Sequence, residues 1–193
     1  KLDTDRHHYK LSLHTIVVGG SAVPRFLVKS FDERYGIKVL HSWGMTEISP
    51  LGSTAVLTSK LEKASREEQY DYSTKQGLPV PFVEIRGRNE FGLIPWDGNT
   101  MGELEVRGPW VCSSYYRDAE PQGKFTADGW LRTGDIVTIN EDGCMEIKDR
   151  SKDVIKSGGE WISSIALENA LMEHPLVLEA AVIGVPDEKW MER

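Results

Sequence analysis

The fold is decided early in the chain, by residues 14–40, which read HTIVVGGSAVPRFLVKSFDERYGIKVL. The apolar run at 14–18 predicts a short buried strand, and the four small residues at 19–22 predict a tight loop. Residues 24–36, which start at a proline and end at a glycine, predict a helix. A second strand is predicted at 37–40. A strand–helix–strand unit crosses over the sheet, so we expect the two strands to be parallel.

Two loops leave the carboxyl ends of these strands. Residues 19–22 follow the first strand, and residues 41–47, which read HSWGMTE, follow the second. Ligands of open α/β sheets bind in the crevice outside the carboxyl ends of the strands. We therefore expect the two loops to face one ligand site.

Beyond this unit the sequence pattern changes twice. Residues 60–72 are polar and charged, which predicts a solvated helix. From residue 77 onward, glycine and proline punctuate short β-rich runs. The predicted strands there are 80–86, 102–107, 130–139 and 144–148. The last two flank Asn140-Glu141-Asp142-Gly143, where Asp-Gly indicates a hairpin turn.

The last forty residues predict an incomplete unit. Val154–Lys156 indicates a strand edge, and Ser163 or Ser164 can cap a helix that Pro175 stops. Leu178–Val185 predicts a buried strand. One helix with one or two strands is too little for an independent core.

The predicted fold class is α/β plus β-rich. Residues 1–76 form a parallel β-α-β piece of a larger sheet, and residues 77–150 form an antiparallel β-barrel-like unit. Residues 151–193 form the start of a small α+β domain.

Composition narrows the function classes. The 193 residues include 30 acidic and 23 basic side chains, a net charge of −7, which argues against binding to nucleic acid or to anionic lipid. No apolar run approaches the ~18 residues of a membrane span. Cys112 and Cys144 lack metal-site spacing, and two reduced thiols indicate the cytoplasm. Both ends read as cuts through a longer chain, so we expect a fragment.

Four motifs could carry chemistry, and each has a plain structural alternative. Residues 19–22 either let the backbone approach a ligand or only form a tight turn. In residues 42–47, Trp43 offers a stacking surface, while Thr46 and Glu47 suit a phosphate with its Mg²⁺. The alternative there is a helix start at Thr46 with an acid in its first turn.

The other two motifs lie further along the chain. Residues 128–135, DGWLRTGD, either hold a ribose through Asp135 or form a turn in which the aspartate bonds its own backbone. Residues 149–161, DRSKDVIKSGGEW, are either a solvated linker with a turn or a functional segment. In the functional interpretation, Arg150 binds ribose or phosphate and the glycine pair lines a narrow channel.

The order of the motifs is more specific than any one of them. GGSA, WGMTE, GELEVRG, DGWLRTGD and DRSKDVIKSGGE, in that order, resemble the adenylate-forming acyl-CoA synthetases over residues 14–193. The pattern is most similar to the fatty-acid and methylthio-alkanoate CoA ligases. The resemblance implies that a carboxylate is joined to AMP from Mg²⁺-ATP, that pyrophosphate is released, and that the acyl group then passes to coenzyme A.

The resemblance also implies roles for single residues. Thr46 matches a contact to the α-phosphate, Glu47 matches the Mg²⁺-associated acid, and Asp135 and Arg150 match the ribose-binding pair. The nucleotide-side residues that it implies are Gly19, Gly20, Ser21, Ala22, Ser42, Trp43, Gly44, Met45, Asp135, Ile147 and Arg150. Part of the acyl pocket is expected at Trp43 and Met45.

For the second half-reaction, the resemblance implies a hinge at Lys152 about which the C-terminal domain rotates. The segment that swings toward coenzyme A comprises Lys156, Gly158, Gly159, Glu160 and Trp161, with Lys156 in a catalytic role. Trp161 either packs on the pantetheine arm or is an interdomain packing residue.

Two expected parts of the family pattern are missing, namely an upstream phosphate loop and a C-terminal lysine. We therefore expect this chain alone to fail in adenylation. The partners implied are a small carboxylic acid, ATP and coenzyme A, and a homodimer is conceivable for the full-length enzyme. Two alternatives stay open: a non-catalytic adenine-nucleotide-binding module and a non-enzymatic β-rich interaction domain.

Overall fold

A computed structural model describes residues 12–117, 123–172, 174 and 176–193. The first part of the chain contains these elements in order: β1 (Thr15–Val18), α1 (Arg25–Tyr35), β2 (Lys38–Gly44), β3 (Leu51–Thr54), α2 (Arg66–Ser73) and β4 (Leu78–Pro79). The second part contains β5 (Glu84–Asn89), β6 (Gly92–Leu93), β7 (Gly102–Arg107), β8 (Leu131–Ile139) and β9 (Met145–Arg150). The third part contains β10 (Ile155–Ser157), β11 (Glu160–Ile162), α3 (Ser164–Met172), β12 (Pro186–Asp187) and β13 (Met191–Glu192).

The first sheet has the order β1-β2-β3-β4. Strands β1 and β2 are parallel, with Val18 opposite His41, and α1 connects them, which confirms the predicted β-α-β unit. The prediction of a buried first strand is wrong, because Val17 is 66 % exposed. Among the described residues β1 has a strand on one side only, so one of its faces and one of its edges stay open.

Strand β2 extends further than predicted. It continues to Gly44 because β3 turns back and pairs with it, with Ser42 opposite Thr54 and Trp43 opposite Ser53. Residues 41–44 are therefore strand and not loop. Only the short 3-10 helix at Thr46–Ile48 leaves the sheet.

Helix α2 is shorter than the predicted helix at 60–72. It begins at Arg66, because Ser65 and Glu68 form a reciprocal capping box at that point. It is not purely solvated, since Tyr70 is buried against Val28 and Val39 beneath α1. Its outer face is tied to α1 by ion pairs from Arg25.

The second sheet confirms the predicted antiparallel unit. Its strand order is β6-β5-β7-β8-β9, an open sheet rather than a closed barrel. The predicted hairpin joins β8 to β9, and Gly143 adopts a φ of 81° at its turn. The main core lies on this sheet, and its fully buried members include Leu104, Leu131 and Ile139.

The third sheet has the order β11-β10-β13-β12. Helix α3 follows the predicted cap, since the Ser163 hydroxyl accepts a hydrogen bond from the Ala166 amide. The predicted buried strand at 178–185 is wrong: no strand is assigned there, and Leu178 is 97 % exposed. Within the described residues, only the last residue of this segment is paired, since Val185 exchanges two backbone hydrogen bonds with Arg193. The predicted helix stop at Pro175 lies outside the described residues.

No helix of the described residues is both long enough and apolar enough to cross a bilayer.

Candidate active site

The centre of the site is a carboxylate on the β8–β9 hairpin. Asp135 is only 2 % exposed and lies opposite Arg150 in the strand register. One carboxylate oxygen pairs with Arg150 Nη1 at 2.8 Å. The other accepts a hydrogen bond from the indole Nε1 of Trp43, also at 2.8 Å. The structure therefore brings together three of the predicted nucleotide-side residues.

Burial controls the protonation of this carboxylate. Loss of solvent raises the pKa of Asp135 above its ordinary value, while the charge of Arg150 and the hydrogen bond from Trp43 work in the opposite direction. The pKa stays raised on balance, so the carboxylate is costly to ionise without its partners. Arg150 is itself 57 % exposed, which leaves part of its guanidinium open toward a ligand.

Trp43 supports this carboxylate from the core. Its ring packs with Ile48 and Leu104 and is 7 % exposed. The open stacking surface that the sequence predicts is therefore not present in the structure, because β3 and the core cover the ring. Gly44 follows at a close approach of two backbones, where an added side chain would collide with the Pro50 carbonyl. Met45 packs against the same core.

The loop at Gly19, Gly20, Ser21 and Ala22 lies beside the end of β2. A side chain at Gly19 would come within 2.9 Å of the Ser42 carbonyl oxygen, so the two predicted adenine-side segments do meet. The link between them is His41, a buried residue that the sequence analysis did not single out. Its two ring nitrogens lie 3.2 Å from the Ser21 carbonyl and 2.8 Å from the Thr74 carbonyl.

Thr46 and Glu47 begin the 3-10 helix. The predicted alternative, a helix start at Thr46, is therefore present at the same two residues for which the sequence predicts contacts to a phosphate and Mg²⁺. Thr46 is exposed and Glu47 is half-buried. The Tyr115 hydroxyl donates a hydrogen bond of 2.8 Å to Glu47 Oε1. Tyr115 was missed because it stands 68 residues away in the sequence and outside any motif.

The acidic side chains in the described part of the chain do not by themselves form a metal site. Within the described residues, no three His, Cys, Asp or Glu side chains converge on one point. A resident protein-only metal site is therefore not built by this part of the chain. A lone half-buried carboxylate such as Glu47 fits Mg²⁺ that arrives with a phosphate, since Mg²⁺ commonly takes one or two carboxylates beside phosphate oxygens and water.

Ile147 lies on β9, three residues before Arg150. Its amide donates a hydrogen bond to the buried Gln76 side chain at 2.6 Å, and its side chain packs partly on the main core. This position is compatible with an apolar neighbour of the nucleotide.

The residues that the sequence predicts to face coenzyme A form a separate hairpin, β10–β11. Lys156 lies opposite Trp161, and its ammonium is 5.4 Å from the indole centroid. Gly158 and Gly159 make the turn with φ values of 60° and 88°, a conformation that glycine adopts without strain. Glu160 and the predicted hinge residue Lys152 are exposed. In the described ranges, no hydrogen bond or ion pair joins this hairpin to Asp135, Thr46 or Glu47.

Comparison with known families gives two matches. The AMP-binding enzyme family model matches residues 2–116, and the model for the AMP-binding enzyme C-terminal domain matches residues 166–193.

Among curated proteins, a long-chain-fatty-acid–CoA ligase of Thermus thermophilus is 48 % identical over the whole chain and 36 % of its own length. A 3-methylmercaptopropionyl-CoA ligase of Ruegeria lacuscaerulensis is 47 % identical over 94 % of the chain and 34 % of its own length. The chain thus spans about a third of these relatives.

Two solved structures of similar proteins also superimpose on nearly the whole chain. An amide bond synthetase of Marinactinospora thermotolerans superimposes with a TM-score of 0.79 at 33 % identity, over 97 % of this chain and 36 % of that one. An o-succinylbenzoate CoA synthetase of Bacillus subtilis, in complex with its acyl-adenylate, gives a TM-score of 0.78 at 30 % identity, over 99 % and 38 %.

Proposed function

Because the chain belongs to the AMP-binding enzyme family, we propose that it supplies part of an ATP-dependent acid–CoA ligase. The observation that carries the proposal is the buried Asp135 carboxylate, held between Arg150 and Trp43 at the position of the ribose-binding acid in the motif order. Both curated relatives described above are named as acid–CoA ligases, and the activity is proposed for a protein of their full length.

In the first half-reaction, a carboxylate oxygen of the acid attacks the α-phosphorus of ATP. The bond from that phosphorus to the bridging oxygen breaks, and pyrophosphate leaves with the electron pair. Asp135 accepts hydrogen bonds from the ribose hydroxyls and Arg150 binds beside them. The Thr46 hydroxyl contacts the α-phosphate, and residues 19–22 and 42–45 border the adenine with Ile147.

Glu47 is the residue that would hold Mg²⁺ together with the phosphate oxygens of ATP. Bound there, Mg²⁺ supplies charge neutralisation for the phosphates and the departing pyrophosphate. The residues of this chain fix the rest of the geometry, since the ribose contacts and the Thr46 hydroxyl orient the α-phosphorus toward the acid.

In the second half-reaction, the thiol of coenzyme A attacks the acyl carbonyl carbon, loses its proton, and displaces AMP. We place the β10–β11 hairpin at this step, with Lys152 as the hinge that carries it toward the acyl-adenylate. The glycine turn at 158–159 leaves room for the pantetheine arm, and Lys156, Glu160 and Trp161 flank it.

The proposed substrates are medium- or long-chain fatty acids or methylthio-alkanoates, because curated relatives are named for long-chain fatty acids, for 3-methylmercaptopropionate and for medium-chain fatty acids. The proposed location is the cytoplasm, and a homodimer is proposed for the full-length enzyme. The second candidate function is a non-catalytic adenine-nucleotide-binding module, which the buried Asp135–Arg150 pair alone would also support.

The test is pyrophosphate release by the full-length protein with Mg²⁺-ATP, with and without decanoate or 3-methylthiopropionate. Acid-dependent release followed by thioester formation is expected. Nucleotide binding without acid-dependent release would favour the non-catalytic module. Release by the 193 residues alone would contradict the expectation that this third of the relatives' length is insufficient.

A paired variant separates the two half-reactions. Gly158→Ala introduces a side chain at a φ of 60° that would press on the Trp190 ring at 3.0 Å, so we expect thioester formation to slow by about tenfold while pyrophosphate release in a single turnover persists. Gly98→Ala is the control, since Gly98 has a similar φ of 75° but lies on the second sheet unit. Equal slowing in both variants would contradict the placement of the hairpin.

A further inference from the structure

The segment that follows β7 contacts the 3-10 helix that carries Glu47. The Cys112 amide donates a hydrogen bond to the Glu47 carbonyl at 2.8 Å, and the Ser49 hydroxyl donates one to the Trp110 carbonyl at 3.2 Å. Trp110 and Cys112 also pack against the main core. The 3-10 helix is therefore attached to this segment at the Glu47 carbonyl and again two residues later at the Ser49 side chain.

The same segment reaches the carboxylate itself. The Tyr115 hydroxyl donates to Glu47 Oε1 at 2.8 Å, and the Tyr115 ring contacts Phe125 with a centroid separation of 6.1 Å. Phe125 in turn packs on the main core. A ring held by the core thus directs one donor at one carboxylate oxygen. Within the described residues, the other oxygen, Oε2, accepts no hydrogen bond.

We propose that Tyr115 is a positioning residue that fixes the Glu47 carboxylate so that Oε2 meets the Mg²⁺ of Mg²⁺-ATP. The inference rests on the proposed function, in which Glu47 is the acid that holds this ion. Tyr115 touches neither ATP nor the reacting acid; it acts through Glu47.

The physical reason is rotamer freedom. A glutamate side chain has three rotatable bonds and populates many orientations in solvent, and ordering it costs free energy. Mg²⁺ demands near-octahedral geometry with short bonds to oxygen, so an unordered carboxylate binds it less well. A hydrogen bond to an ionised carboxylate is stronger than one between neutral groups, and partners of this kind commonly change metal affinity by about 10–100-fold.

A role in folding alone is the competing explanation, and it makes a different prediction. If Tyr115 only packs on Phe125, then removing its hydroxyl leaves the ring contact intact and changes nothing at the metal. Tyr115→Phe is therefore the informative variant. Tyr116→Phe is its matched control, because Tyr116 is the next residue, has the same side chain and is 87 % exposed.

Two measurements on the full-length protein test the proposal. The first is Mn²⁺ binding in the presence of a non-hydrolysable ATP analogue, followed by electron paramagnetic resonance, which requires no turnover. The second is the Mg²⁺ concentration that gives half-maximal pyrophosphate release. For Tyr115→Phe we expect both constants to rise by about tenfold, with metal-free AMP affinity and melting temperature unchanged, and for Tyr116→Phe we expect wild-type values.

The remaining outcomes separate a failure of the positioning role from a failure of the proposed ligase function. A Mn²⁺ constant for Tyr115→Phe within about twofold of wild type would overturn the proposal, as would a wild-type protein that binds no Mn²⁺ with the analogue. Wild-type Mn²⁺ binding that Tyr115→Phe weakens, without acid-dependent pyrophosphate release, would support the positioning role while contradicting the proposed ligase function.

Discussion

The two hairpins that carry the proposed chemistry are built in opposite ways. In β8–β9 the proposed ribose-binding carboxylate of Asp135 is only 2 % exposed, and flanking residues such as Val137 and Met145 are fully buried. In β10–β11 the side chains of Lys156 and Glu160, which we propose to act in the second half-reaction, are exposed. This second hairpin pairs with β13 through a single residue pair, Ser157 opposite Met191.

The difference shows how one chain can combine a fixed site with an adaptable one. Asp135 needs low mobility and exact partners, because a buried carboxylate without them is unfavourable. In the proposed function the second hairpin needs an open surface, because coenzyme A would approach its glycine turn. Few buried contacts are typical of segments that move during a reaction cycle.

One buried side chain attaches the first hairpin to α3, the helix that directly follows the second hairpin, and gives the largest expected effect. Asp149, at the end of β9, is 1 % exposed and accepts hydrogen bonds from the Ser164 amide at 2.6 Å and the Ser164 hydroxyl at 2.8 Å. Its other oxygen accepts from the Arg150 amide at 2.7 Å. The start of α3 is thereby attached to β9, the strand that carries Arg150.

Asp149→Ala should lower the free energy of unfolding by about 2–4 kcal/mol, because it leaves buried donors without an acceptor. The measurement is the urea midpoint, with hydrogen exchange of the first α3 amides to locate the loss. Asp153→Ala is the control, since Asp153 is exposed and should change stability by less than about 0.5 kcal/mol. A similar loss of stability in the two variants would contradict the inference that Asp149 attaches α3 to β9.

A smaller effect is expected in the pH dependence of stability, where the buried Asp135 and the exposed Asp128 should act in opposite directions. Burial raises the pKa of Asp135 above its unfolded value of 3.8, so the folded state binds more protons just above that value. Its contribution to stability therefore falls as the pH rises through that interval. The opposite sign is expected at Asp128, where the hydrogen bonds from Arg86 lower the pKa and stability is lost as the pH falls.

Urea midpoints from about pH 3 to about pH 7 check both signs. Asp135→Asn should make the stability curve rise more steeply with pH just above 3.8, because it removes a downward contribution. Asp128→Asn should make stability rise less steeply with pH in the more acidic part of this range, because it removes an acid whose lowered pKa favours the folded state as the pH rises. An identical pH profile for the Asp135→Asn variant and the wild type would argue against a perturbed buried carboxylate.

Much of the fold is readable from the sequence where local signals and packing agree. Helix α1 ends at Gly36, which adopts a left-handed φ of 65°, and the β8–β9 turn follows its Asp-Gly signal. The predictions that are wrong depended on partners distant in the sequence. Val17 and Leu178 are apolar, but a strand is buried only where neighbouring layers cover it, and the described residues supply none there.

Contacts between distant parts of the chain also limit what the sequence predicts about the candidate site. The resemblance implies that Asp135 and Arg150 both bind the ribose, and the strand register places the two residues opposite each other. The burial of Trp43 could not be predicted from its motif, because β3 and the core cover its ring through contacts that no local pattern encodes. His41 and Tyr115 were missed for the same reason, since their hydrogen bonds reach segments that are remote in the chain.

The central claim is that the buried end of the β8–β9 hairpin holds the nucleotide. Calorimetric titration of AMP into this chain tests it most directly, with Asp135→Ala as the variant and Asp142→Ala, on the exposed turn of the same hairpin, as the control. We predict binding by the wild type and the control, and an affinity at least about tenfold weaker for Asp135→Ala. Equal affinities in all three proteins, or no binding by the wild type, would contradict the account.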